Sequence, residues 1–201
     1  MTCGATECDE AGLERIAAVL LAGGTAIIPT DTVYGLAAHP GFPGAVERLY
    51  LIKGRDRSKP IAMLASDAAA VERAGFPLAG RAGELARRFW PGALTIVCES
   101  AAGGLFEGFR VPAHEWTRRL VARCGGLLRT TSANISGRPA PASAAEAISQ
   151  LGTLADVAAD GGTCAGGTAS AVVRVRRTGE LETLRGGADP SIAAALAEKV
   201  L

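Results

Sequence analysis

The chain lacks most of the marks by which an enzyme is usually recognised. It has only two histidines, His39 and His114, and each adjoins loop-type residues; both are expected as solvated loop side chains. A metal cage or a Ser-His-Asp hydrolase is therefore short of parts. No G-x-x-x-x-G-K-[ST], G-x-G-x-x-G or G-x-S-x-G occurs, which removes the P-loop, the dinucleotide-binding turn and the nucleophile elbow. The five cysteines, Cys3, Cys8, Cys98, Cys124 and Cys164, are odd in number and include no C-x-x-C, so neither a disulfide framework nor a zinc site is indicated. Cys98 and Cys124 sit in apolar stretches and read as core thiols, which fits a reducing, cytoplasmic setting. Net charge is only +1 and aromatics are 4%, so nothing global draws the chain to nucleic acid or a membrane. The apolar run before Gly23-Gly24 stops well short of the ~20 residues of a membrane span. Acidic residues flank it, so no export signal is expected.

What remains is a length suited to one domain over 1–201, with 48% hydrophobic and 20% charged residues. Strand and helix patterns alternate along it. Leu13, Ile16, Ala17, Leu20 and Leu21 keep helical spacing, and Gly23 supplies a stop. Strands are expected at 25–29, 60–64, 93–98, 109–111, 127–131, 157–159, 171–175 and 181–184. Helices are expected at 44–53, 67–74, 81–89, 115–124 and 191–201, with one more starting at the capping box Ser143-Ala144-Ala145-Glu146. Alternation argues α/β, and short connections between the late strands argue a mixed sheet.

Five segments place hydroxyls, amides or cations at strand and helix ends, where α/β proteins usually hold ligands. They are Pro29-Thr30-Asp31-Thr32-Val33-Tyr34-Gly35-Leu36, Lys53-Gly54-Arg55, Arg110-Val111-Pro112, Thr131-Ser132-Ala133-Asn134-Ile135-Ser136-Gly137 and Leu184-Arg185-Gly186-Gly187. Taken singly, each has a plainer reading. A run such as Lys53, Arg55, Arg57 and Lys59 is usually a solvated basic loop, and a Ser/Asn/Gly cluster is usually a capped turn. Taken together they describe a polyanion pocket, with Lys as a point charge and Arg as a fork able to hold two oxygens. Lys53 closes a helix, so a Lys53→Ala change is expected to spare the fold. The glycine-rich stretch 161–167 reads as a surface loop, with a mobile loop beside the site as the alternative.

In this order, the five segments resemble the YrdC-type threonylcarbamoyl-AMP synthase family, over about Gly24 to Gly186. Trp-Pro-Gly-x-Leu-Thr at 90–95 adds to the match, and the chain resembles the short form without an extra C-terminal domain. The resemblance implies a twisted open mixed parallel/antiparallel sheet flanked by helices, with a deep positively charged cavity. It implies that L-threonine, bicarbonate or CO2, and ATP become threonylcarbamoyl-AMP and pyrophosphate. Mg²⁺ would ride on ATP, with no protein metal site. The product would pass to the tRNA threonylcarbamoyl transferase complex. Carried over by motif, Lys53, Arg55, Ser132 and Asn134 are the catalytic group. Lys53, Arg57, Ser132, Asn134 and Arg185 bind ATP, and Thr32, Arg110, Thr130 and Ser170 bind threonine. Three positions depart from the family pattern: Phe106 and Ala62 stand where Thr and His are frequent, and Ser170-Ala171-Val172 replaces Ser-Thr-Val. Two other readings stay open: a module of this fold binding tRNA or double-stranded RNA, and carbamoyltransferase-type chemistry on carbamoyl phosphate.

Overall fold

The computed structural model describes residues 5–197; Cys3 and the end of the helix expected over 191–201 lie outside the described residues. Among the described residues ten strands form one sheet: β1 (Ala5–Glu7), β2 (Thr25–Ile28), β3 (Gly35–Ala38), β4 (Met63–Ala65), β5 (Leu94–Glu99), β6 (Phe106–Arg110), β7 (Leu127–Ser132), β8 (Val157–Asp160), β9 (Ala171–Val175) and β10 (Leu181–Arg185). Their spatial order is β1-β8-β2-β3-β7-β4-β6-β5-β9-β10. The pairs β1–β8, β2–β8, β4–β6 and β5–β9 are parallel. The pairs β2–β3, β3–β7, β4–β7, β5–β6 and β9–β10 are antiparallel. The sheet is thus open and mixed, as the short late connections implied.

Seven helices flank it among the described residues: α1 (Glu10–Leu21), α2 (Pro43–Lys53), α3 (Ala68–Arg73), α4 (Gly80–Phe89), α5 (Glu115–Arg123), α6 (Ala144–Leu151) and α7 (Pro190–Ala197). Several ends follow from capping chemistry. The Asp9 carboxylate accepts from Gly12 N at 2.7 Å, and the Ser143 hydroxyl accepts from Glu146 N at 3.2 Å. Gly54, at φ +58°, ends α2 in the left-handed region. His114 is a correction to the solvated-loop expectation. It is half-buried and caps α5, its ring accepting from Thr117 N at 3.3 Å. Burial pushes its pKa down.

Two strands were illegible in the sequence, β1 and β3. The loop after β2 turns back at once, and Gly35-Leu36-Ala37-Ala38 pairs with both β2 and β7. Gly35 allows this close pairing, because a Cβ there would lie 2.6 Å from Thr130 Cγ2 and displace it. The strand expected at 60–64 begins only at Met63 and ends at Ala65; the one expected at 109–111 begins earlier, at Phe106.

The helices cover the two halves of the sheet unequally. Around β2 and β8 both faces are covered. Ala26, Ile28 and Val157 pack with residues of α1 and α5, and Ile27 and Ala158 pack with residues of α2 and α6. Around β5, β6 and β9, alternation sends Leu94, Ile96, Cys98, Phe109, Ala171 and Val173 into a core with α3, α4 and α7. The opposite face presents Thr95, Val97, Gly108, Val172 and Arg174, and it lines a cavity. Cys98 and Cys124 are core thiols, 2% and 1% exposed.

Candidate active site

The cavity has a volume of about 550 Å³. All five of the polar segments singled out in the sequence reach it, through Thr30, Arg55, Arg110, Ser132 and Arg185 among others. Its cations are Arg55, Lys59, Arg110, Arg174 and Arg185; its carboxylate is Glu107.

Arg110 ends β6 and is buried. It donates from Nε to Gly92 O at 2.9 Å, from Nη1 to Thr32 Oγ1 at 2.7 Å, and from Nη2 to Asp31 Oδ1 at 2.6 Å. Burial lowers its pKa, and the Asp31 carboxylate works against that shift. Three of the five N–H groups of a guanidinium are thereby used, leaving two for a ligand. Thr32 does not line the cavity: it is 3% exposed and acts by holding Arg110. Its neighbour Thr30 does line it. The Thr30 hydroxyl donates to Val33 O at 2.6 Å and accepts from Thr32 N and Val33 N, so one side chain shapes the turn.

Arg185 ends β10 and reaches back to Ser170. Nε donates to Ser170 O at 2.9 Å and Nη2 to Ser170 Oγ at 3.3 Å; Ser170 Oγ lies 2.8 Å from Thr95 Oγ1. Burial lowers the Arg185 pKa, and the Arg110 and Arg55 guanidiniums lower it further. Arg55 donates to Lys59 O and Pro60 O, both at 3.0 Å, which fixes its fork at the cavity wall. Thr130 and Ser132 line the same wall from β7.

Two of the four residues expected to be catalytic stand elsewhere. Lys53 is 1% exposed and does not line the cavity. Its ammonium donates to Ser132 O, to Asn134 O at 2.6 Å and to Asn134 Oδ1 at 3.1 Å. Three donors meet three acceptors, so the group is fully used. Burial, with the Arg55 charge as a smaller cause, pushes its pKa down to about 8. The solvated helix-end lysine behind the expected Lys53→Ala outcome is therefore corrected: Lys53 is buried and closes a polar cluster. Asn134 is the other half of that cluster, its Nδ2 donating to Ile135 O at 3.0 Å and Arg138 O at 2.7 Å. Together they fix the turn that carries Ser132.

Arg57 also lies outside the cavity. Its side chain is 69% exposed and pairs with Glu47. Such a surface pair is worth at most about 1 kcal/mol, so it holds Arg57 weakly.

Sequence reasoning gave no role to Asp31 and Thr95, which stood inside its motifs, and passed over Glu107, Arg129 and Arg174. Asp31 stood inside a motif but showed no sign of its partner, which is 79 residues away. Glu107 is held by Arg129, which donates to it at 2.6 Å and also to Ile61 O at 2.6 Å. Alternation along β5 and β9 would have found Thr95 and Arg174, had the bare face been known. The stretch 161–167 packs onto the site: Tyr34 Oη donates to Gly162 O at 2.7 Å, and Gly166 N donates to Asp31 O at 3.2 Å. A Cβ on Gly166 would lie 2.8 Å from Asp31 O, so this approach requires glycine.

These features define an open, mixed α/β sheet with a ligand-sized cavity on one face, its largely apolar lining interrupted by guanidinium and hydroxyl groups. The chain belongs to the Sua5/YciO/YrdC family: the family model described as Sua5_yciO_yrdC, telomere recombination, matches residues 18–187. A Mycobacterium leprae protein provisionally named threonylcarbamoyl-AMP synthase is 34% identical over 189 residues, covering 87% of this chain and 86% of its own length. The Bacillus subtilis threonylcarbamoyl-AMP synthase is 33% identical over 171 residues, covering 80% of this chain but 49% of its own length. The crystal structure of Pyrococcus abyssi Sua5 complexed with L-threonine superposes with a TM-score of 0.85 at 30% identity, over 94% of this chain and 58% of that one. This chain therefore spans about half the length of the last two relatives. Among the described residues no helix is long and apolar enough to cross a membrane.

Proposed function

We propose that this protein is an L-threonylcarbamoyladenylate synthase, making threonylcarbamoyl-AMP and pyrophosphate from L-threonine, bicarbonate or CO2, and ATP. One observation carries the reading: Arg55, Arg110 and Arg185 come from three distant segments to one cavity. The fold and the named relatives support it.

The chemistry asks for what the cavity holds. The threonine amine adds to CO2, giving a carbamate and releasing a proton. A carbamate oxygen then attacks the α-phosphorus, and the bond to the pyrophosphate oxygen breaks. Negative charge accumulates on phosphoryl oxygens and on the leaving group, so fixed cations and hydrogen-bond donors serve better than a nucleophile. In this reading the two remaining N–H groups of Arg110 take the threonine carboxylate, beside Thr130 and Ser170. Arg55, Arg185 and the Ser132 hydroxyl take the triphosphate. Lys53 and Asn134 serve by holding the Ser132 turn, and Arg57 would have to leave Glu47 to reach ATP. Mg²⁺ would come with the triphosphate, since Glu107, the carboxylate of the lining, is already held by Arg129. The whole reaction sits on one cytoplasmic domain, and its product passes to an enzyme that threonylcarbamoylates tRNA.

The test is pyrophosphate release from ATP with each substrate omitted in turn. Release that requires both threonine and bicarbonate is the expected result. Release without threonine, or dependence on carbamoyl phosphate, would remove the reading. Salt-sensitive RNA binding without ATP turnover would favour the RNA-binding alternative.

A further inference from the structure

Strand β6 works as a ruler through the cavity. Residues at alternate positions share a face, and Phe106, Gly108 and Arg110 all line the cavity, while Phe109 is buried in the core on the other side. At about 3.3 Å per residue, Phe106 stands about 13 Å along the strand from Arg110. Gly108, between them, puts no side chain in the way. A Cβ there would lie 3.2 Å from Ala62 Cβ and 3.5 Å from Val97 Cγ2.

The far end of the ruler is built differently from the near end. Register places Val97 opposite both Gly108 and Arg174, and Arg174 opposite Glu182. Arg174 reaches across β5, so that its guanidinium carbon lies 5.6 Å from the centre of the Phe106 ring. Its Nη1 donates to Glu182 at 2.8 Å, which steadies it there. Its Nε is buried and has no hydrogen-bond partner. Phe106 is nevertheless 37% exposed, and Leu184, 44% exposed, lines the same cavity. A partly exposed aromatic ring held against a cation, with an apolar neighbour in the same cavity, is a surface for a flat ring.

We propose that Phe106, backed by Arg174, is the stacking platform for the purine base of the nucleotide, with the phosphates running toward Arg55 and Arg185. This rests on the nucleotide reading given above and assigns a specificity-determining residue within it.

The test measures binding of a non-hydrolysable ATP analogue and of inorganic tripolyphosphate, by calorimetry, to the wild-type chain and to Phe106→Ala, Phe106→Leu and Phe106→Trp. Phe106→Ala is expected to weaken the analogue about tenfold, as loss of one base–aromatic stack should. Phe106→Trp is expected to retain affinity and Phe106→Leu to fall between. Tripolyphosphate affinity is expected to stay the same in all four. Analogue affinity within twofold of wild type in Phe106→Ala would overturn the platform, as would an equal loss for tripolyphosphate. If the wild-type chain binds neither probe, the nucleotide reading itself falls and the platform falls with it.

Discussion

Replacing Lys53 with methionine tests how this site is assembled. Methionine restores most of the apolar stem and removes only the ammonium. Left behind are Ser132 O, Asn134 O and Asn134 Oδ1, all paired with Lys53 Nζ in the native fold. A buried acceptor without a partner costs about 1–3 kcal/mol, and relaxation will recover part of the sum. A loss of about 3–5 kcal/mol is expected, three such acceptors less what relaxation recovers. For a chain of this size each kcal/mol moves Tm by about 2–4 °C, so Tm should fall by about 6–20 °C. Thermal unfolding followed by circular dichroism reads this directly, and urea unfolding gives the free energy. Activity should fall as well, because the Ser132 turn loses its anchor. A variant inactive yet melting within 2 °C of wild type would refute the reasoning, since Lys53 would then serve the substrate and not the turn.

Other outcomes follow from the same geometry. Activity should need the protonated Lys53, so it should fall as pH rises through about 8 rather than near 10.5, the ordinary lysine value. The threonine amine becomes more reactive over that range, so a descending limb in the pH–rate profile is diagnostic. Arg110→Lys keeps a charge but loses the fork; threonine KM should rise at least about tenfold while ATP KM changes little. Equal rises in both would take Arg110 out of the threonine pocket. Arg55→Ala should raise ATP KM by about tenfold or more, the scale of one charged hydrogen bond. Arg57→Ala should raise it much less, because Arg57 lies outside the cavity; the reverse ranking would show that the loop carrying both residues closes over the nucleotide. Asp31→Ala leaves Arg110 buried without its counter-charge and should cost about 3–5 kcal/mol in urea unfolding.

Much of this fold was legible because hydrophobic spacing and capping agreed. Leu13, Ile16, Ala17 and Leu20 mark the buried face of α1, and Ser143 caps α6 as the capping box indicated. The strand β3 was not legible. Gly35-Leu36-Ala37-Ala38 has no strand propensity of its own and becomes a strand only because β2 and β7 leave room for small residues between them. Phe106 fell outside the strand expected at 109–111, since Gly108 interrupts the pattern. At the site, the five segments could be found from their residue types, and they do reach one cavity. The roles inside it were harder to read. A lysine at a helix end looks solvated until the 132–134 turn is seen folded over it, and Arg57 looks like its neighbour Arg55 until Glu47 is seen beside it. Sequence proximity records neither contact.

The central claim is that one cavity joins an amino-acid carbamate to the innermost phosphorus of ATP. It is tested most directly by incubating the protein with ATP, L-threonine and ¹³C-bicarbonate and analysing the nucleotides by mass spectrometry. A threonine–carbonyl–AMP adduct carrying one ¹³C, formed in step with pyrophosphate, is the predicted result. Nucleotide products free of both threonine and label would contradict it.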